Sequence, residues 1–340
     1  MNTLSPVRSS SVSFPHENVV VIGAGTMGSG FARNLINHSL ISKDNLTIVG
    51  STSNRAHVLG AELGCPVTLK DYSAVSQASF VIIAVKNKDF EAVLRGLAPH
   101  LAENAVLIST VTGVSFAEYR EIIGSKGCIV TIVPNPAFEF GRSLSIVLEE
   151  NLNLSAAQRE FIQALFATGG EVFKADSCDA RQLPTASAIS GCGPAFVAQF
   201  AKDCLDTHAE SIEGIDATLS RFLAQARLGV DICKNADDTT LISLSVFRAE
   251  VLESGVLHGF TFEQSHQLFL GAIDGYLSIR SHGATPEQVI RKVATPGGTT
   301  EAALKYANDV NQDLSHKPWS SVISLAAARM GSPFPYIQKK

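Results

Sequence analysis

The run Asn18-Val19-Val20-Val21-Ile22-Gly23-Ala24-Gly25-Thr26-Met27-Gly28 decides how the first half of this chain folds. Four β-branched residues after Asn18 read as a short buried strand. A full G-x-G-x-x-G follows, and then a helical pattern with Phe31, Leu35 and Ile36 as its apolar positions. The first glycine serves a tight turn, the second the close approach of a pyrophosphate, the third helix–strand packing. A strand before and a helix after are the context that makes this motif a dinucleotide cradle, built from Gly23, Gly25, Thr26, Met27 and Gly28.

Working outward, the β/α alternation continues. A second strand, Leu46–Val49, runs into Gly50-Ser51-Thr52-Ser53-Asn54-Arg55. An NAD site usually places a carboxylate there for the ribose hydroxyls. Hydroxyls and a guanidinium suit a 2′-phosphate instead, so Ser51, Thr52 and Arg55 favour NADP(H) over NAD(H). Apolar runs Phe80–Val85, Ala105–Thr110 and Cys128–Val133 predict strands covered on both faces. Each ends at a polar or small turn on one rim: Ala84-Val85-Lys86, Thr112-Gly113, and Pro134-Asn135-Pro136. On that rim Lys86 and Asn135 are the candidate cofactor contacts, the prolines on both sides of Asn135 fixing its backbone. For Lys86 the alternative is a solvated loop lysine. Leu144–Leu148 and Glu171–Phe173, flanking a helix near Ser155–Phe166, complete the sheet.

Composition sets the outer bounds. The chain has 340 residues, 45% hydrophobic and 17% charged, with a formal net charge of -5. That predicts a globular protein of about two domains, and without a basic cluster nucleic acid is not an expected partner. Six cysteines include no C-x-x-C pair, and the histidines show no metal-ligand spacing. No metal is expected. With neither a secretory signal nor a membrane span, a cytoplasmic protein away from membranes is predicted.

From Cys178 onward strand signals give way to amphipathic helical patterns. Phe200, Leu205, Ile215, Phe222, Leu223 and Ile232 recur 47 residues on as Phe247, Leu252, Phe262, Phe269, Leu270 and Ile279, a spacing that suggests a duplicated helical hairpin over about 196–282. The alternative is chance matching of two amphipathic hairpins. Near the end, Val293-Ala294-Thr295-Pro296-Gly297-Gly298-Thr299-Thr300-Glu301 breaks the chain and opens a helix. Bare N–H groups at such a start suit an anion. The alternative is an ordinary capped loop. The expected layout is a loose segment 1–17, a Rossmann-type α/β domain 18–175, and an all-α domain 176–335.

These pieces, in this order, resemble the pyrroline-5-carboxylate reductase family. The matching stretches are Ile22–Gly28, Ala84-Val85-Lys86, Thr112-Gly113-Val114, Val133-Pro134-Asn135, Ile189-Ser190-Gly191-Cys192-Gly193-Pro194-Ala195-Phe196 and Ala294–Thr300. The last is the most specific, and the resemblance covers nearly the whole chain after residue 17. It implies that the helical domain forms a homodimer or a larger homo-oligomer. It also implies NADPH on Gly23–Gly28 with Ser51 near the 2′-phosphate, and Ala84, Val85, Lys86, Thr112 and Gly113 lining the cofactor. The substrate carboxylate would sit on the backbone of Gly297, Gly298, Thr299 and Thr300. Thr300 and Ser190 are the implied catalytic residues. Asn87, Pro136 and Cys192 depart from the family pattern, as does Asp71, a charge near the expected phosphate site.

The implied function is NADPH-dependent reduction of a carboxylate-bearing cyclic imine, 1-pyrroline-5-carboxylate to L-proline, in amino-acid biosynthesis. Two alternatives are an imine reductase of secondary metabolism with another substrate, and a non-catalytic NADP-binding regulator.

Overall fold

The computed structural model describes residues 13–51, 54–150, 154–174, 182–208, 210–233, 238–310 and 319–331. They form two compact units, one holding residues 13–134 with 145–174, the other 135–144 with 182–331.

The first unit is an eight-stranded sheet. Its strands are β1 Val19–Ile22, β2 Leu46–Gly50, β3 Val67–Leu69, β4 Phe80–Ile83, β5 Val106–Ser109, β6 Cys128–Val133, β7 Ser143–Glu149 and β8 Gly170–Lys174. Their order is β3-β2-β1-β4-β5-β6-β7-β8. β3 to β6 in that order are parallel, and β7 runs antiparallel to β6. Five helices accompany it: α1 Thr26–Asn37, α2 Arg55–Leu63, α3 Asn87–Leu97, α4 Phe116–Ile123 and α5 Ala156–Thr168. The continuous apolar strands are covered on both faces, as parallel sheets require. Val20, Ile22, Val81, Ile83 and Leu107 share one core with Phe90, Leu94, Tyr119 and Ile123 of α3 and α4. Phe80 of β4 stacks on Phe161 of α5 with ring centroids 3.9 Å apart. Phe14, within the segment expected to be loose, donates its N–H to the Leu40 carbonyl and sets its ring edge-on to Phe161.

Register decides what the rim can do. Ile22 pairs with Val49 and with Ile83, and Ile83 with Ser109. The turns after β1, β2, β4 and β5 therefore emerge on one edge of the sheet, the carboxyl ends where dinucleotides bind in such folds.

The second unit is helical apart from the first residues of β7. After α6 Gln182–Ala186 comes a π-helical turn, Ser187–Gly191, and then α7 Gly193–His208, α8 Ile212–Arg227, α9 Thr239–Leu257, α10 Phe262–Ser281, α11 Pro286–Val293, α12 Thr299–Val310 and α13 Trp319–Gly331. Reciprocal capping boxes start α10 (Thr261, Gln264) and α11 (Thr285, Gln288), each satisfying two otherwise orphan N–H groups. The core is aromatic: Phe247 lies 5.3 Å from Phe200, 5.4 Å from Phe269 and 4.6 Å from Trp319. Phe200 and Phe247, 47 residues apart, are thus in contact. Of the other pairs at this spacing, Phe222 and Phe269 are both buried, whereas Ile215 is buried and Phe262 is 58% exposed.

Candidate active site

In the first unit the glycine-rich turn is shaped by two kinds of constraint. Gly23 has φ +103, and a Cβ there would lie 2.5 Å from the Ala84 carbonyl oxygen. A Cβ on Gly28 would lie 1.8 Å from the Gly23 oxygen. Both positions are closed to any side chain. A Cβ on Gly25 would meet nothing within 4 Å, so this glycine faces open space through which a ligand can approach the backbone. Gly25 is the N-cap of α1, which has no side-chain cap and no acidic residue in its first turn. Its first N–H groups and the positive end of the helix dipole are therefore available to a pyrophosphate. These residues fit a dinucleotide.

The neighbouring turns supply the rest of this rim. Ser51 is exposed after β2, and Arg55 is exposed at the first position of α2. Thr52 lies outside the described residues. Ala84 donates its N–H to Ile22 O at 2.9 Å, and with Val85 is half-buried. Lys86 is exposed and caps α3 through its backbone only. Gly113 turns with φ +77. Asn87 has a structural reason: its Nδ2 donates to the Thr112 carbonyl at 3.3 Å, tying two of these turns together. Asp71 accepts from the Ser73 N–H at 2.9 Å, which holds its carboxyl below the usual range and commits one of its oxygens locally.

In the second unit, the segment Thr295–Gly298 is a turn closed by the Gly298 N–H on the Thr295 carbonyl, 2.8 Å. Pro296 and Gly297, with φ +74, occupy its two central positions, the chemistry a type II turn demands. This corrects part of the expected carboxylate cradle. The Gly298 N–H is spent on the turn, and the Gly297 N–H donates to the Glu301 carboxylate at 2.7 Å. What stays open is the first turn of α12, where the N–H groups of Thr299 and Thr300 have no partner within the helix. A Cβ on Gly298 would stand 2.6 Å from Thr295 Oγ1, so that glycine serves turn closure rather than ligand approach.

Thr300 is 7% exposed, and its hydroxyl donates to Cys192 Sγ at 3.1 Å. Cys192 follows the π-helical turn and is itself 3% exposed; burial pushes its thiol up to about 11. Ser190, expected among the reacting groups, is fully buried and gives its hydroxyl proton to the Leu144 carbonyl. That makes it a brace between the π-helical turn and β7. Asn135, expected at the cofactor, is also turned inward. Its Oδ1 accepts from the Ala137 N–H at 2.9 Å, and its Nδ2 donates to the Ser190 carbonyl at 3.3 Å. Pro136 begins the short helical turn that Asn135 caps, a position that suits proline. Glu301 was legible as a helix residue, but its reach back to Gly297, four residues earlier and outside the helix, was not. Among the described residues no group of three His, Cys, Asp or Glu side chains could hold a metal ion.

Each of the two units matches known proteins. Residues 18–113 match a family model described as NADP oxidoreductase coenzyme F420-dependent, and residues 244–315 one described as pyrroline-5-carboxylate reductase dimerisation. A pyrroline-5-carboxylate reductase of Aquifex aeolicus is 25% identical over 86% of this chain and 89% of its own length. One from Mycobacterium tuberculosis is 27% identical with the same coverages. The crystal structure of Plasmodium falciparum pyrroline carboxylate reductase with NADP bound shares the fold, with a TM-score of 0.52 at 20% identity over 94% of this chain and 99% of that one. A Rossmann-type unit with a bare phosphate-binding turn, joined to a helical dimerisation domain, defines an NAD(P)H-dependent oxidoreductase. Over most of its length the chain is similar to pyrroline-5-carboxylate reductases. No helix among the described residues is long and apolar enough to cross a membrane.

Proposed function

We propose that this protein reduces a carboxylate-bearing cyclic imine with NADPH, 1-pyrroline-5-carboxylate becoming L-proline, as a homodimer in the cytoplasm. The observation that carries the reading is the start of α12, where bare N–H groups and a buried, oriented Thr300 hydroxyl stand together. Relatives named pyrroline-5-carboxylate reductase support the substrate, and the dimerisation-domain match supports self-association.

NADPH, when bound along Gly23–Gly28 with Ser51 and Arg55 toward its 2′-phosphate, supplies the hydride. The remaining work belongs to the chain. The Thr299 and Thr300 N–H groups anchor the substrate carboxylate, and the dipole of α12 favours its charge. The Thr300 hydroxyl holds the ring nitrogen. A protonated imine is already a strong electrophile, and its nitrogen keeps that proton in the product amine, so placement rather than acid catalysis is what the site must provide.

Thr300→Ala is expected to leave NADPH affinity intact while cutting kcat/KM for pyrroline-5-carboxylate by about tenfold or more, the value of one hydrogen bond to a charged group. Unchanged turnover removes Thr300 from the site. A second reading, another cyclic imine as the natural substrate, is favoured by Cys192, which touches Thr300 at this helix start.

A further inference from the structure

The thiol that departs from the family pattern touches the one hydroxyl assigned to the substrate nitrogen. Thr300 and Cys192 lie 108 residues apart in sequence and 3.1 Å apart in space, both inside the second unit and both buried. The thiol's backbone is fixed on both sides. Cys192 donates its N–H to the Ser187 carbonyl, and its own carbonyl accepts from Ala195 and Phe196 at the start of α7. A threonine hydroxyl in a helix otherwise turns to a carbonyl three or four residues back. Here it is drawn to sulfur.

We propose that Cys192 is a positioning residue: its sulfur accepts the hydrogen bond of the Thr300 hydroxyl and so leaves the oxygen lone pairs free to accept an N–H from the substrate ring. The inference rests on the proposed function above and sharpens its specificity. An acceptor at that point favours the protonated imine, which carries an N–H, over a ketone, whose oxygen brings no proton. Sites built around a substrate N–H discriminate strongly against analogues without one, because a buried polar group is then left unpaired. Sulfur serves as an acceptor in the neutral thiol form, which burial preserves. A serine hydroxyl at this position would accept the same hydrogen bond, so the device tolerates Cys192→Ser but not loss of the acceptor.

The test is a double-mutant cycle on the full-length protein, reading kcat/KM for pyrroline-5-carboxylate and NADPH affinity by fluorescence. Cys192→Ala is expected to lose about tenfold in kcat/KM, and Cys192→Ser to stay within about threefold of the parent. Thr300→Val lacks the hydroxyl to be oriented, so adding Cys192→Ala to it costs nothing further. NADPH affinity is constant throughout. A Cys192→Ala protein at parental kcat/KM overturns the inference. So does a Cys192→Ser protein that falls as far as Cys192→Ala, or a double variant that loses the product of the two single effects, which is what a merely structural thiol gives. A parent protein that binds NADPH but reduces no cyclic imine overturns the proposed function, and this inference with it.

Discussion

Ser190→Ala separates a brace from a catalyst. In the structure Ser190 is fully buried, and its hydroxyl donates to the carbonyl of Leu144, a residue only 6% exposed. Removing the donor leaves that buried oxygen without this hydrogen bond, which costs about 1–3 kcal/mol. Spread over the cooperative unfolding of a unit of this size, each kcal/mol lowers Tm by about 2–4 °C, so a fall of roughly 2–12 °C is expected. Chemistry is a different matter. Because the hydroxyl points to the main chain and not to a ligand, kcat/KM measured well below the new Tm is expected within about threefold of the parent. The assays are differential scanning calorimetry and NADPH oxidation on the same preparation. Parental melting with kcat/KM reduced a hundredfold would refute the geometry and return Ser190 to the reacting groups.

Three further outcomes follow from the same geometry. Gly25→Ala is expected to fold with parental stability, since its Cβ meets no protein atom, yet to weaken NADPH binding about tenfold or more by filling the phosphate approach. Equilibrium binding with NADPH decides this, and unchanged affinity contradicts the cradle. Glu301→Gln keeps an acceptor for the Gly297 N–H but removes a negative charge beside the open turn of α12, so KM for the imine carboxylate should fall about three- to tenfold with kcat nearly constant; a raised KM would count against the anchor. The Cys192 thiol, raised by burial from 9.0 to about 11, keeps in the folded state a proton that the unfolded chain releases, so its contribution to stability is whole below pH 9 and is lost as pH rises toward 11. The parent should therefore lose about 1.4 kcal/mol more stability per pH unit across that window than Cys192→Ser, and parallel pH–Tm curves would refute the burial.

How much of this was legible in the sequence depends on whether the signal was local. β1, β4, β5 and β6 announce themselves because strands buried on both faces need unbroken apolar runs. β3 does not, because three residues on the sheet edge, one of them Leu69 at 42% exposure, leave no periodic pattern to read. In the site, Gly23 and Gly28 follow from the motif, and Pro296-Gly297 already specifies a turn whose fourth N–H is consumed. The inward orientation of Asn135 and Ser190 was not legible. It depends on contacts 55 and 46 residues away in sequence, and flanking prolines fix a backbone without saying which way an amide points. The Thr300–Cys192 contact is longer-ranged still, and only the fold brings it about.

The most direct measurement of the central claim is NADPH oxidation by the purified protein with pyrroline-5-carboxylate, run beside the six-membered-ring imine and an open-chain keto acid, with L-proline followed as product. The account predicts rapid oxidation with the five-membered imine, stoichiometric proline, and little or none with the keto acid. Tight NADPH binding with no oxidation in the presence of any cyclic imine would contradict it.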